Sequence, residues 1–171
     1  MGIGNAHKSN GDFEQAISAY QDSLKEEVAL SALNNLVRTY QTLKESALIK
    51  AEKIDKPEDS QKYKSLAQTY ELQALKYATQ ALSISDRETS SSAVYALIEW
   101  GKFKGNKLDL KQLARGQNII DELPISKSLV YLLINWATVD TQKTVYWLGK
   151  AENIASKLKA PELQSYVNLE L

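Results

Sequence analysis

The chain has no cysteine and a single histidine among its 171 residues. Without cysteine, it cannot form disulfides, thiolate zinc sites or a cysteine nucleophile. Any histidine-based triad or metal site would depend on His7 alone. We therefore predict no catalytic residue, no metal and no cofactor, and we expect a protein that is not an enzyme.

The sequence also lacks an excess of either charge and a long apolar run. Lysine plus arginine and aspartate plus glutamate number 21 each, so no net field draws the chain to nucleic acid or an acidic membrane. The longest apolar stretch, 129–139, is far shorter than the roughly 20 residues that cross a bilayer. No basic region followed by an apolar run marks a signal peptide. We expect no nucleic-acid or membrane partner and a cytoplasmic location.

Helix-breaking residues are scarce, with seven glycines and three prolines, while 43% of the residues are hydrophobic. Apolar residues recur at spacings of three and four almost everywhere, which is the period of an amphipathic helix. The breaks between these runs coincide with capping or turn residues rather than long polar linkers. The sequence therefore predicts an all-α fold in one domain over 1–171.

The central stretch is the most informative part of this pattern. Apolar residues keep the helical spacing from Leu30 to Ile54 without a breaker, and the segment 55–57 then ends the run at Pro57. A second apolar stripe of matching length follows the break. We expect the two stripes to face each other in one elongated antiparallel hairpin over 28–85, about 40 Å long.

Shorter helix pairs are predicted on either side of this hairpin. Asp12 with Gln15, and Asp109 with Gln112, have the spacing of capping boxes at helix starts. The predicted pairs span 1–27, 89–123 and 125–158, and a last half-pair spans 161–171.

Internal repetition supports this division. The segment 96–101 aligns with 132–137 at an offset of 36 residues, which places Trp100 and Trp136 in equivalent, core-packing positions. A third copy, 32–37, lies 64 residues before 96–101, and the elongated hairpin accounts for the excess of about 30 residues over one repeat.

The small and aromatic residues also follow a known repeat pattern. Ile3-Gly4-Asn5-Ala6-His7, followed by Gly11-Asp12-Phe13, Ala16, Tyr20 and Leu24, resembles a tetratricopeptide repeat, with His7 in place of a tyrosine and Ser23 in place of an alanine. The segment 34–40 resembles the start of the next repeat. This resemblance implies an α-solenoid, a superhelix of antiparallel helix pairs.

More narrowly, the long hairpin followed by the Trp100-Gly101 and Trp136-Ala137 repeats resembles the repeat region that precedes the CHAT peptidase domain in cyanobacterial proteins. No motif of the peptidase domain itself is present. The resemblance therefore implies a scaffold and no proteolytic activity of these residues.

A tetratricopeptide-like fold implies a protein-binding scaffold whose concave face takes a peptide or a partner domain. The predicted partner-binding residues are Asn5, Asn34, Arg38, Gln41 and Lys102 on first helices of the pairs, and an exposed Tyr146 or Trp147 as an anchor. The groove residues are alternatively ordinary solvated surface. The alternative function is a regulatory or targeting segment of a larger CHAT-type protein.

Both ends of the chain have the pattern of incomplete repeats, since the last helix is apolar and has no polar cap. Two explanations stay open, a segment of a longer array or a homodimer that pairs through the terminal helices.

Overall fold

A computed structural model describes residues 2–26 and 29–168, and it is helical through most of them. The predicted helix ends at Met1, 27–28 and 169–171 lie outside the described residues. Within the described ranges there is no β-strand, so the predicted all-α class is confirmed there. The α-helices in these ranges are α1 Gly2–Ser9, α2 Phe13–Glu26, α3 Leu30–Lys53, α4 Pro57–Ser85, α5 Ser91–Phe103, α6 Leu110–Glu122, α7 Lys127–Ala137, α8 Thr144–Lys157 and α9 Pro161–Asn168, and a 3-10 turn spans Thr141–Lys143.

The two longest helices are α3, with 24 residues, and α4, with 29 residues. The chain leaves α3 at Ile54 in an extended conformation, with φ −100° and ψ 120°. Pro57 then opens α4, where its fixed φ suits the first helical turn and its missing N–H removes no helical hydrogen bond. The Ser60 hydroxyl donates to the Ala51 carbonyl at 2.8 Å across the connection. The predicted break at 55–57 is therefore present.

The start of α6 shows the capping chemistry that its sequence predicts. The Gln112 N–H donates to Asp109 Oδ1 at 2.8 Å, and the Asp109 N–H donates to Gln112 Oε1 at 3.1 Å. This reciprocal pair satisfies two donors that a helix start otherwise leaves open. At the other predicted capping box, Asp12 lies next to the start of α2, and its Oδ2 is 3.7 Å from His7 Nδ1.

The chain divides into two compact units, unit 1 from Met1 to Ile84 and unit 2 from Ser85 to Leu171. In unit 1, α2 packs against both α1 and α3. Gly4 of α1 lies against the ring of Tyr20, which is fully buried, and a Cβ on Gly4 would sit 2.5 Å from Tyr20 Cε1. Only a residue without a side chain allows this approach of α1 to α2.

The long helices α3 and α4 meet through tyrosines. The Tyr40 ring stacks on the Tyr77 ring at 5.9 Å between centroids and lies 6.2 Å from the Tyr70 ring. Tyr77 also accepts a hydrogen bond from Gln21 of α2 at 3.0 Å. An ion pair between Lys44 and Glu71, at 2.8 Å, joins the same two helices near the surface.

Unit 2 is built around Trp136, whose side chain is fully buried. Its ring lies against Gly116 of α6, where an added Cβ would overlap Trp136 Cζ3 and Cζ2 at 2.6 and 2.7 Å. The predicted core position of Trp136 is confirmed. Trp100, at the equivalent repeat position, is only partly buried, and the Lys104 ammonium lies 4.8 Å from its ring centroid.

In unit 2 a helix contacts the next helix along the chain and also the one after that. Helix α7 contacts both α5 and α9. On α6 and α8, Lys150 Nζ lies 2.6 Å from Asp121 Oδ1. Unit 1 follows the same rule, since Asn35 of α3 bonds Asn5 of α1, and Gln21 of α2 bonds Tyr77 of α4. Within a unit, odd-numbered helices therefore contact other odd-numbered helices, and even-numbered helices contact other even-numbered helices.

Gly116 and Gly149 offer a matched test of close helix packing. We expect Gly116→Ala to destabilise unit 2 by about 1–3 kcal/mol, because the new methyl group overlaps the Trp136 ring. Gly149→Ala meets nothing within 4 Å in α8 and should stabilise by up to about 1 kcal/mol through helix propensity. Urea unfolding followed by tryptophan emission measures both, since all three tryptophans lie in unit 2. Equal effects of the two substitutions would contradict the packing described.

The tyrosine cluster predicts an alkaline loss of stability in unit 1. Burial, followed by the neighbouring Tyr77 and Tyr70, raises the pKa of Tyr40 above its ordinary value of 10.0. The folded state therefore keeps the proton that the unfolded state releases, and stability falls as the pH rises from about 10 through the folded pKa. Tyr40→Phe keeps the ring and should show a shallower decline of the urea midpoint between pH 9 and 11, followed by circular dichroism. An identical decline would exclude Tyr40 as the cause.

Candidate protein-binding surface

Asn5 links three helices of unit 1 while remaining exposed to solvent. Its Oδ1 accepts hydrogen bonds from the Tyr20 hydroxyl at 2.7 Å and from Asn35 Nδ2 at 3.1 Å. These bonds fix the Asn5 amide, because both donors belong to other helices. Asn5 is therefore an oriented surface group, and it also supports the fold.

Asn34 is not a surface residue, so its predicted place among the exposed groove residues is wrong. Its side chain is 4% exposed. Four residues before it is Leu30 and three residues after it is Val37, both buried, and residues at these spacings share one helix face. Asn34 thus belongs to the buried stripe of α3.

Arg38 and Gln41 of α3 are both partly exposed, as a binding role requires. They lie three residues apart, which places them next to each other on the helix surface. With Asn5 and Asn35 they form what we call the unit 1 polar surface.

Lys102 of unit 2 serves a buried carboxylate. Its Nζ lies 3.3 Å from Glu99 Oε1, and the two side chains are 34% and 1% exposed. A buried carboxylate requires a compensating charge or hydrogen bonds, so the contact holds the ammonium to the protein. The predicted role of Lys102 in contacting a ligand therefore competes with this structural role.

Trp147 does not point outward, and the prediction of an exposed anchor at this position is wrong. Its side chain is fully buried, and its Nε1 donates to Asp140 Oδ2 at 2.7 Å. The buried stripe of α8 includes Trp147 as well as Leu148, Ala151 and Ile154, at the spacings of a broad helix face. The neighbouring Tyr146 is instead 55% exposed, and its ring packs against the indole at 4.8 Å.

The exposed side chains of unit 2 that recur at equivalent repeat positions were not among the predicted site residues. Tyr131 of α7 and Tyr166 of α9 are 44% and 43% exposed, and their ring centroids lie 5.8 Å apart. Lys127 and Glu162, one turn earlier on the same helices, form an ion pair at 2.8 Å. This hydrogen bond raises the pKa of Lys127 and lowers that of Glu162.

These contacts join equivalent repeat positions. Lys127 and Glu162 are 35 residues apart, as are Tyr131 and Tyr166, and Tyr95 of α5 precedes Tyr131 by 36. We call Tyr95, Tyr131 and Tyr166 the tyrosine face. The offset of 36 that aligns Trp100 with Trp136 also aligns Tyr95 with Tyr131, so the sequence contained the signal.

A small pocket of about 130 Å³ adjoins the tyrosine face between α5 and α7. Apolar groups, including Leu123, Pro124 and Leu132, line it together with Tyr95. Ser91, Ser126 and Ser128 complete its lining. The pocket can take one apolar side chain.

The Trp147–Asp140 hydrogen bond supports the turn between α7 and α8, and its removal should lower the free energy of unfolding. Asp140→Ala leaves a buried indole N–H without this acceptor, so we expect a loss of about 1–3 kcal/mol in the free energy of unfolding. Trp147→Phe removes the donor. The double variant should therefore be less destabilised than the sum of the single variants by at least about 0.5 kcal/mol. Strict additivity in urea unfolding followed by circular dichroism would show that the bond contributes nothing.

Other kinds of site and wider comparisons give little further direction. Among the described residues, no group of three or more histidine or acidic side chains is arranged to hold a metal ion. None of the described helices combines the length and apolarity that a bilayer crossing requires. Comparison of the chain with models of protein families, with curated proteins and with solved structures gave no match.

Proposed function

We propose that the chain is a non-catalytic scaffold, an α-solenoid of tetratricopeptide type, that binds a peptide or a partner domain on the face that the odd-numbered helices form within a unit. The observation that carries the proposal is the contact of equivalent repeat positions across α7 and α9, where Tyr131 meets Tyr166 and Lys127 meets Glu162. A surface that repeats at a fixed interval suits an extended partner, whose own side chains also recur at a fixed interval.

The side chains of the tyrosine face have the properties of binding anchors. Tyrosine supplies a large, rigid, amphipathic surface with few rotatable bonds, so little conformational entropy is lost when a partner binds. The contact between the Tyr131 and Tyr166 rings restricts them further before binding. Exposure of more than two fifths of the Tyr131 and Tyr166 side chains leaves area for a partner to cover.

The charged groups beside this face support a binding role more than a catalytic one. Lys127 is held by Glu162, and Lys102 is held by the buried Glu99. His7, the one histidine of the chain, lies in unit 1 beside Asp12. Fixed ion pairs orient a surface, whereas acid–base catalysis requires a group that gains and loses a proton at the reacting atoms.

The unit 1 polar surface gives unit 1 a binding area of its own. Arg38 carries a charge on a rigid helix, and the Asn5 amide is held by two hydrogen bonds. We propose that this surface contacts polar or acidic groups of a partner of unit 1, and that the tyrosine face contacts apolar groups of a partner of unit 2.

A selection of random twelve-residue peptides displayed on phage tests the scaffold role. We expect peptides enriched on the full chain to bind at least tenfold more weakly to a Tyr131→Ala, Tyr166→Ala variant, because the exposed rings supply the contact area. Tyr146→Ala is the matched control, since Tyr146 is an exposed tyrosine of the same unit on an even-numbered helix. Affinities are measured by fluorescence anisotropy with synthetic peptides.

The selection can also contradict the proposal. Enriched peptides that bind the double variant as tightly as the parent chain, or that lose affinity equally with Tyr146→Ala, would remove the odd-numbered helices from the site. Arg38→Glu provides the corresponding test of the unit 1 polar surface, with a loss of affinity expected only for peptides that carry acidic residues.

A further inference from the structure

Helix α4 carries a second regular face besides its buried one. The buried face includes Ala67, Ala74, Ala78 and Ala81. A second set of residues recurs at alternating spacings of three and four, which is the heptad repeat of a coiled coil. We call this set the heptad seam, with Ser65, Leu72 and Thr79 at its a positions and Gln68, Leu75 and Leu82 at its d positions. Leu82 is partly exposed and the other five are exposed, so the heptad seam lies on the surface of unit 1.

The composition of the heptad seam suits an interface better than solvent. The outward face of a surface helix normally carries charged residues, whereas all six seam residues are uncharged and three are leucines. Leu72 and Leu75 are 67% and 37% exposed. The Ser65 hydroxyl donates to the Gln61 carbonyl at 3.0 Å, and the Thr79 hydroxyl donates to the Leu75 carbonyl at 2.9 Å. Because both hydroxyl protons have an acceptor within α4, covering these two side chains leaves neither donor unsatisfied.

The charged residues that flank the heptad seam indicate what covers it. Between residues 64 and 82 the charged residues are Lys64 and Glu71, at g positions, and Lys76, at an e position. In a parallel pair of helices, a g residue faces the e residue five positions later on the other helix. Glu71 and Lys76 have this spacing and opposite charges. A second copy of α4 therefore complements the first in charge.

Two polar side chains can serve both the chain itself and a second copy. Lys44 Nζ lies 2.8 Å from Glu71 Oε1, and the Glu71 side chain is 48% exposed. A carboxylate accepts at both oxygens, so contact with Lys44 leaves capacity for another ammonium. Gln68 carries an amide, which donates and accepts and is therefore its own complement. Equal positions of two parallel copies face each other, so the two Gln68 amides can bond each other.

We infer that the chain forms a homodimer in which two copies of α4 pair in parallel and in register along the heptad seam. In this arrangement Leu72, Leu75 and Leu82 contact their counterparts, and Glu71 of each copy meets Lys76 of the other. An antiparallel pair would set g positions against g positions and e positions against e positions, so that Glu71 and Lys76 would not meet. The heptad seam belongs to α4 and the tyrosine face to α5, α7 and α9, so the dimer does not depend on the proposed scaffold function.

Sedimentation velocity of the full chain between about 5 and about 500 μM tests the dimer, which we expect to predominate at the upper concentration. Leu75→Gln should weaken dimerisation at least about tenfold, because it removes an apolar contact from both copies. Leu66→Gln is the matched control, since Leu66 lies on α4 outside the heptad seam and is 38% exposed against 37% for Leu75. It should leave dimerisation unchanged. Circular dichroism of each variant shows that it is folded.

Cysteine cross-linking tests the parallel register. The chain has no cysteine of its own, so Thr79→Cys introduces a single thiol per copy. In the parallel dimer the two thiols face each other at an a position, and mild oxidation should join the copies by a disulfide. Leu66→Cys, outside the heptad seam, should give little of this product. Glu71→Lys should weaken the dimer, and adding Lys76→Glu should restore it, because the exchanged charges again attract.

Several results would overturn this inference. A chain that stays monomeric up to about 500 μM has no such dimer. A dimer that Leu75→Gln leaves intact must use another surface, such as the terminal helices. Thr79→Cys that cross-links no better than Leu66→Cys, or a charge exchange that fails to restore the dimer, would exclude the parallel register. The phage selection uses variants of unit 2, so its outcome for the scaffold function is separate from these results.

Discussion

The close approach of two helices at a glycine beneath an aromatic ring determines the rest of this structure. Among the described residues it is seen in unit 1 at Gly4 with Tyr20 and in unit 2 at Gly116 with Trp136. The missing side chain lets the backbones come close, and the ring fills the space on either side, so burial and spacing are fixed together. A larger residue at either glycine would separate the helices and lose both.

This packing explains why the surface repeats. In unit 2 each odd-numbered helix contacts the next one, α5 with α7 and α7 with α9. Residues at equivalent repeat positions then contact each other, as Lys127 does with Glu162 and Tyr131 with Tyr166. The regular exposed face is therefore a consequence of the regular core.

The parts of the fold that sequence could predict are those with local causes. The break at Pro57 and the capping box of Asp109 with Gln112 depend on residues within one helical turn, and both are present. Burial of Asn34 and Trp147 depends on where the neighbouring helices lie. The spacing of apolar residues does not decide which of two adjacent residues on a helix faces them. The tyrosine face has a signal in the sequence, since the offset that aligns Trp100 with Trp136 also aligns Tyr95 with Tyr131, but the exposure of these rings depends on how neighbouring helices pack.

Rigidity connects this core to the proposed binding role. The buried Asp140 carboxylate accepts from Trp147 and so ties the turn after α7 to α8, while Glu99 and Lys102 hold the far end of α5. These polar contacts restrict the helices that carry Tyr95 and Tyr131, so the face exists in its binding geometry before a partner arrives. An extended partner that is itself stiff would lose little further entropy on binding. A modest contact area can then give useful affinity. Because a less stable core would hold the surface less rigidly, the stability of the core and the strength of binding should change together.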